Sequence, residues 1–300
     1  MKTILVPTDF SAHAKFALNL AKQIAFKTKA SIQLLHIVEQ PSHYLTAVSG
    51  GVHDQIDNMY VLKLIEKVKA QLQVIANEQT QQGVNTGFKI KIGNPFKHIS
   101  ALIKSEDYDL IVMGTKGISG LQEVMVGSNT EKVIRHADCP VITLKREVDI
   151  ESIKNIVFAV DYFSQDQHLA NNLKFIQALF GAKVHLVTIN TPGNFLIERH
   201  LLNSLQEFVE QHQISNCTIN IYSDIAEEEG IVHFAEDQMA DAIVMGTHRR
   251  TGISHLLAGS LSEDMVNHST LPVITFPLKN KKNSKKDLEP KKEPDGISSN

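Results

Sequence analysis

Asp109-Leu-Ile-Val-Met-Gly-Thr115 and Asp241-Ala-Ile-Val-Met-Gly-Thr247 are near copies of one another, set 132 positions apart (241 − 109). Each is a short apolar run closed by a glycine, the pattern of a strand buried on both faces. The glycine spares the backbone a Cβ, so a ligand can come close where the strand ends. After Gly114 the chain continues Thr-Lys-Gly117, then nine residues, then Gly127-Ser128. After Gly246 come twelve residues and then Gly259-Ser260. A Gly-Ser pair opening a helix offers N–H groups and a hydroxyl. The two stretches together read as a phosphate cradle built twice.

The rest of the chain repeats in the same way. Lys2-Thr-Ile-Leu-Val-Pro-Thr-Asp9 aligns with Lys154-Asn-Ile-Val-Phe-Ala-Val-Asp161, and Leu35-His-Ile-Val38 with Val187-Thr-Ile-Asn190. Pro140-Val-Ile-Thr143 aligns with Pro272-Val-Ile-Thr275. The offset is 152 early (154 − 2) and 132 late (272 − 140), so the second half lacks about 20 residues between Ile189 and Gly246. The shortfall is expected opposite residues 40–60, which are rich in Gly, His and Ser. A period this long means duplicated domains rather than a solenoid. The 300 residues divide into domains at 1–146 and 152–278, with a tail at 279–300. The tail is rich in Lys, Pro, Glu and Ser and nearly devoid of apolar residues, so it is expected to be disordered. It reads as a solvated tail, although its lysines could touch an acidic partner.

Within the first half, the run at 4–6 reads as a strand and Ser11 as the N-cap of a helix with Phe16, Ala17, Leu20, Ala21, Ile24 and Ala25 on one face. Residues 31–38 read as a strand, 60–80 as an amphipathic helix and 88–92, which alternates strictly, as a strand nearer an edge. A helix over 96–104, a buried strand over 110–113, a helix over 128–136 and a last strand over 140–144 follow. Alternation of this kind specifies an α/β fold: two tandem doubly wound domains, each a five-stranded parallel sheet flanked by helices. Such sheets bind ligands beyond the carboxyl ends of their strands, where the winding reverses. Asp9, Ile37 and Gly114 all sit at such ends.

Composition narrows the function. With 42% hydrophobic and 21% charged residues the chain reads as a soluble globular protein, and a net charge of −3 gives no case for nucleic acid or an anionic membrane. No apolar run approaches the roughly 18 residues of a membrane span, and the first apolar segment is strand-like rather than a signal peptide. Cys139 and Cys217 fall at different places in the repeat without metal-ligand spacing, which suggests a reducing, cytoplasmic compartment.

The glycine pattern is not a Walker A loop, because no Lys follows a Gly-x4-Gly, and Pro7-Thr-Asp9 stands where a Gly-x-Gly-x-x-Gly turn would follow the first strand. Asp9 has two readings that can coexist: a hydrogen bond to ribose or adenine, or an Asx-type turn into the next helix. Lys116 either reaches a phosphate or is solvated. His36 reads as a hydrogen-bonded core residue, and His136 and His268 as helix-end residues. No catalytic set stands out.

These residues resemble the universal stress protein family in its tandem form. The resemblance rests on residues 4–11 (Ile-Leu-Val-Pro-Thr-Asp-Phe-Ser), 34–38 (Leu-Leu-His-Ile-Val), 113–128 (Met-Gly-Thr-Lys-Gly, nine residues, Gly-Ser) and 138–141 (Asp-Cys-Pro-Val), and it covers nearly everything but the tail. It implies a Rossmann-like fold of the adenine nucleotide alpha hydrolase type and the ATP-binding branch of the family. Pro7, Thr8, Asp9 and Ile37 would line an adenosine pocket, and Met113 and Gly114 would pack beside ribose and phosphates. Gly117, Gly127, Ser128 and Asn129 would hold the phosphates of ATP, or the shorter chain of ADP or AMP, with Mg2+ or Mn2+ as an optional bridge. The last strand of each domain, 141–144 and 273–276, would pair with its counterpart, making an internal pseudo-dimer and leaving a homodimer open.

The second half departs from the pattern. Ala159, Val160 and Arg249 replace the proline, the threonine and the second glycine. Asp161, Ile189, Gly246, Arg249, Gly259 and Ser260 would make a weaker second site. The expected function is a cytoplasmic, nucleotide-binding stress regulator without a defined enzyme activity, slow ATP hydrolysis being left open. The alternative is a nucleotide-independent scaffold of the same fold. An adenylating enzyme would need a His-x-Gly-His signature, which the sequence lacks.

Overall fold

The structure, a computed structural model, describes residues 1–39, 52–115, 127–160, 167–248 and 260–278, with the backbone alone at 52–58, 128, 248, 260, 263 and 264. The first half runs β1 (Thr3–Pro7), α1 (Ala12–Thr28), β2 (Ser31–Val38), α2 (Val52–Gln81), β3 (Thr86–Ile92), α3 (Pro95–Ser105), β4 (Leu110–Gly114), α4 (Ser128–His136) and β5 (Val141–Leu144). A short 3-10 turn, Ile150–Ser152, leads into the second half. There the order is β6 (Asn155–Ala159), α5 (Gln167–Phe180), β7 (Lys183–Asn190), α6 (Glu198–Gln211), β8 (Cys217–Ser223), α7 (Glu227–Asp237), β9 (Ala242–His248), α8 (Ser260–His268) and β10 (Val273–Leu278).

The expected α/β alternation is present, and the two five-stranded sheets join through the last strand of each, the pairing the resemblance implies. They form one ten-stranded sheet of order β3-β2-β1-β4-β5-β10-β9-β6-β7-β8. Each half is parallel within itself, and β5 and β10 join antiparallel, with Thr143 opposite Val273, Ile142 opposite Ile274 and Val141 opposite Thr275. Two last strands, each an uncovered edge if left alone, cover one another. The alternating strand β3 is indeed an edge strand, with β8 at the other end.

Because strand side chains alternate between faces, the sheet divides the apolar residues into two layers. Ile4, Val6, Val112, Ile142, Ile156, Phe158, Ile274 and Phe276 face one layer, covered by α1, α2, α5 and α6. Leu5, Ile111, Met113, Val141, Val157, Ile243 and Val273 face the other, covered by α3, α4, α7 and α8. Both layers run through the seam without interruption, so the halves share their cores.

Local signals account for the helix ends. Ser11 accepts the Ala14 amide at the start of α1, and Asn94 accepts the Lys97 amide ahead of Pro95 in α3. Helix α1 also reaches the linker between halves. Asn19 Nδ2 donates to Glu147 at 2.7 Å, Gln23 Oε1 accepts the Ile150 amide at 2.9 Å, and Lys27 pairs with Glu151 at 3.8 Å. The shortfall in the second half lies mainly in a helix rather than in a loop. α2 has 30 residues and its counterpart α6 has 14, and α2 already begins at Val52, inside the stretch opposite which the shortfall is expected.

The aspartates that open the two quoted stretches fasten the sheet. Asp109 Oδ2 accepts the amides of Lys2 (2.6 Å) and Thr3 (2.9 Å), and Asp241 Oδ2 accepts those of Lys154 and Asn155, both at 2.8 Å. Each carboxylate thus ties the first strand of its half to the fourth. Burial pushes the Asp109 carboxyl up, the Thr3 and Lys2 amides pull it down, and the net direction is downward. Its contribution is therefore complete above the ordinary carboxylate pKa of about 3.9 and fades as the pH falls through the lower folded-state value. Asp109→Ala is expected to lower stability in urea titrations by about 1 kcal/mol at pH 7, a modest figure because the carboxylate is exposed. The gap between variant and wild type should narrow as the pH falls through that lower folded-state value; an unchanged gap in acid would contradict this reading.

Candidate functional site

A cavity of about 560 Å³ opens at the carboxyl ends of β1, β2 and β4. Its walls include Pro7, Thr8 and Asp9 after β1, Leu35 to Glu39 at the end of β2, Met113 to Thr115 at the end of β4, and Gly127, Asn129 and Thr130 at the start of α4, with Ala14, Leu64, Pro95 and Ile99 from helices α1, α2 and α3. The winding reverses between β1 and β4, where a doubly wound sheet leaves such a crevice. Of the residues expected from the sequence, Pro7, Thr8, Asp9, Ile37, Met113, Gly114, Gly127 and Asn129 come together here. Ser128 is the first residue of α4. Lys116 and Gly117 lie outside the described residues.

The loop after β1 is tightly held. Leu35 O accepts the Thr8 amide at 2.9 Å, and Thr8 Oγ1 accepts the Phe10 amide at 3.2 Å. Asp9 Oδ1 accepts the Ser11 amide at 3.0 Å, so the Asx-type reading of Asp9 holds while the residue still lines the cavity. His36 Nδ1 lies 2.8 Å from Thr8 O. A carbonyl only accepts, so Nδ1 carries the hydrogen of the neutral ring and Nε2 is left as an acceptor. Burial lowers the His36 pKa, opposed by the Thr8 bond and the Asp9 charge, and the neutral form is favoured.

The glycines act differently from the simple expectation. A Cβ on Gly114 would stand 2.6 Å from the carbonyl carbon of His13, in the first turn of α1. Packing of helix α1 is thus a sufficient reason for glycine at 114, and the residue lines the cavity as well. Nor is the Gly127 amide available to a ligand, since it donates to Thr115 O at 2.7 Å. Gly127 is the N-cap of α4 and supplies no side-chain cap. The start of α4 thus presents the Ser128 and Asn129 amides and the positive end of the helix dipole without a side-chain cap, although Glu131 stands in the same first turn.

Sequence reasoning did not find Thr115, Thr130, Leu64, Pro95 and Ile99, all of which line the cavity. Thr130 Oγ1 donates to Gly114 O at 3.2 Å and pins α4 to the end of β4. The threonine three residues after the N-cap glycine was its only signal. Ile99 and Leu64 belong to helices whose inward faces were legible but whose proximity to the crevice was not.

In the second half, Asp161, Arg249 and Gly259 lie outside the described residues, and Ser260 opens α8. Ile189 and Gly246 are described, and both are engaged by protein. Ile189 is buried, and its Cγ2 lies 2.6 Å from where a Cβ of Gly230 would be. Gly246 lies within β9, and the side chain of Leu278 occupies its open side, 2.7 Å from a Cβ position. The β9–β10 ladder continues to His248 opposite Leu278, whereas β4–β5 stops at Gly114 opposite Leu144.

With this geometry in place, likeness to known proteins is informative. The universal stress protein family matches the chain twice, over residues 1–145 and 152–277. The chain belongs to the universal stress protein family. A universal stress protein of Methanocaldococcus jannaschii is 34% identical over 157 residues, 49% of this chain and 96% of that protein. A universal stress protein of Synechocystis is 24% identical over 298 residues, 92% of this chain and all of its own length. The crystal structure of a universal stress protein from Archaeoglobus fulgidus superposes with a TM-score of 0.69 at 24% identity, covering 92% of this chain and 98% of that one. The tandem arrangement of this universal stress protein is therefore a shared fold.

Gly114→Ala tests the packing role of the first glycine. The added methyl must push α1 from β4, and backbone cannot yield as a flexible side chain can. A loss of about 1–3 kcal/mol in denaturant titrations is expected, the usual range for overpacking. An unchanged midpoint would show that α1 has slack at this contact.

Proposed function

We propose that the first half binds an adenine nucleotide, ATP or its shorter relatives ADP and AMP, and that occupancy regulates a stress response in the cytoplasm. The observation that carries this reading is the cavity itself. It brings Asp9, the backbone around Ile37 and the uncapped start of α4 around one space of about 560 Å³. An apolar floor of Ile99, Met113 and Leu64 suits a base, and a carboxylate beside it suits ribose hydroxyls. Helix amides free of a side-chain cap suit phosphate oxygens.

We propose binding as the function, with the Asp9 carboxylate, which also accepts the Ser11 amide, facing the cavity as a ribose partner. Any Mg2+ or Mn2+ would enter with the phosphates and take ligands from them. In the second half, Ala159, Val160 and Arg249 replace the proline, the threonine and the second glycine of the first. We therefore assign that half a supporting role with weaker nucleotide binding or none.

Gly127→Asp separates fold from function. Gly127 has φ −62° and ψ 135°, open to any residue, and among the described residues a Cβ there meets nothing closer than Thr115 O at 3.4 Å. The aspartate would cap α4 and should stabilise the free protein by about 0.5–1 kcal/mol. Its charge would sit where phosphate is proposed to lie. By calorimetry, ATP affinity should fall about tenfold or more, while the free protein melts at a higher temperature. Unchanged ATP affinity would remove α4 from the site; no ATP binding by the wild type would favour the scaffold reading.

A further inference from the structure

We propose that His36 is a positioning residue: its ring clamps Phe10 in a strained backbone conformation and so presents Asp9 to the nucleotide cavity. The proposal rests on the nucleotide reading above and adds what prepares that site.

Phe10 has φ +65°, in the left-handed region that a side chain with a Cβ rarely adopts. It stands between Asp9, which lines the cavity, and Ser11, which caps α1. Strain of this kind persists only where the surroundings over-determine it, and it gathers at functional sites. Here the surroundings are identifiable. The Phe10 ring stacks on the imidazole of His36 with centroids 4.7 Å apart and planes 27° from parallel. The other edge of that imidazole holds Thr8 O at 2.8 Å. One side chain thus grips the loop on both sides of Asp9, at residue 8 through a hydrogen bond and at residue 10 through a ring face.

The duplicated half separates the two functions of this side chain. At the position equivalent to His36 stands Thr188, and its Oγ1 donates to Val160 O at 3.1 Å. Val160 is the counterpart of Thr8, and its amide donates to Val187 O at 2.9 Å, as that of Thr8 does to Leu35 O. Both halves therefore tie the end of their first strand to the second strand at the same two points. A hydroxyl is sufficient for the tie. What the imidazole adds in the first half is a flat face for Phe10.

His36→Thr therefore keeps the tie and removes the stack, and Phe10→Gly removes both ring and strain. Calorimetric ATP affinity and native-state exchange of the Ser11 amide would be measured for each variant and for the pair. Each single substitution should weaken ATP binding about tenfold, and His36→Thr should speed exchange at Ser11. Once the ring is gone, His36→Thr should add little, so the double variant should bind about as the weaker single one. His36→Thr binding ATP like the wild type, or a double loss equal to the product of the single losses, would overturn the clamp. If the wild type binds no ATP, the nucleotide reading fails, whereas exchange at Ser11 in the free protein still decides whether His36 holds the loop.

Discussion

The antiparallel join of β5 to β10 sets the relation between everything else in the molecule. A parallel sheet has a direction, and joining two such sheets through antiparallel last strands reverses one against the other. The carboxyl ends of β1 to β5 therefore point one way and those of β6 to β10 the opposite way. The join is short, but both apolar layers cross it, with Ile142 and Ile274 in one and Val141 and Val273 in the other. Burial of that kind, at about 25 cal/mol per Å² of apolar surface, outweighs a few ladder hydrogen bonds. Thr143 also donates to Val273 O at 3.1 Å, while Thr275 Oγ1 is buried with no partner among the described residues. The near-symmetry of the join is thus imperfect at its own centre.

Duplication has left the two crevices chemically unlike. The constraints that make the fold are kept, including the paired roles of Asp109 and Asp241 and the tether from the second strand to the first. What differs lies at the strand ends, where ligands would be met. In the first half the β4–β5 ladder ends at Gly114; in the second, β9 continues beside β10 to His248 and Leu278 covers Gly246. One half can lose a site while the common sheet keeps its value, because the two share cores rather than merely touching.

Much of this was legible in the sequence. Buried strands announced themselves as short apolar runs, and Ser11 marked a helix start by chemistry that acts within three residues. Asp9, Ile37 and Gly114 could be placed at one crevice because a doubly wound topology leaves few alternatives. What escaped the sequence was contact at long range. Nothing near Gly114 says that His13 will occupy its open side, and nothing near Gly127 says that its amide will meet Thr115 O. The length of α2 was missed because its first turns, with Gly and His just ahead of them, carry a weak apolar period. The stacked pair Phe10 and His36, 26 positions apart (36 − 10), was likewise invisible until the fold brought the rings together.

Helix α1 has a mechanical consequence. Its first turn has no clearance above Gly114, and Ala14 forms part of the cavity wall. Further along, Asn19, Gln23 and Lys27 grip the segment between the halves at Glu147, Ile150 and Glu151. A 17-residue helix is a rod about 25 Å long. Seated without play at one end and bolted to the connecting segment along its side, it cannot tilt at the crevice without dragging that segment with it.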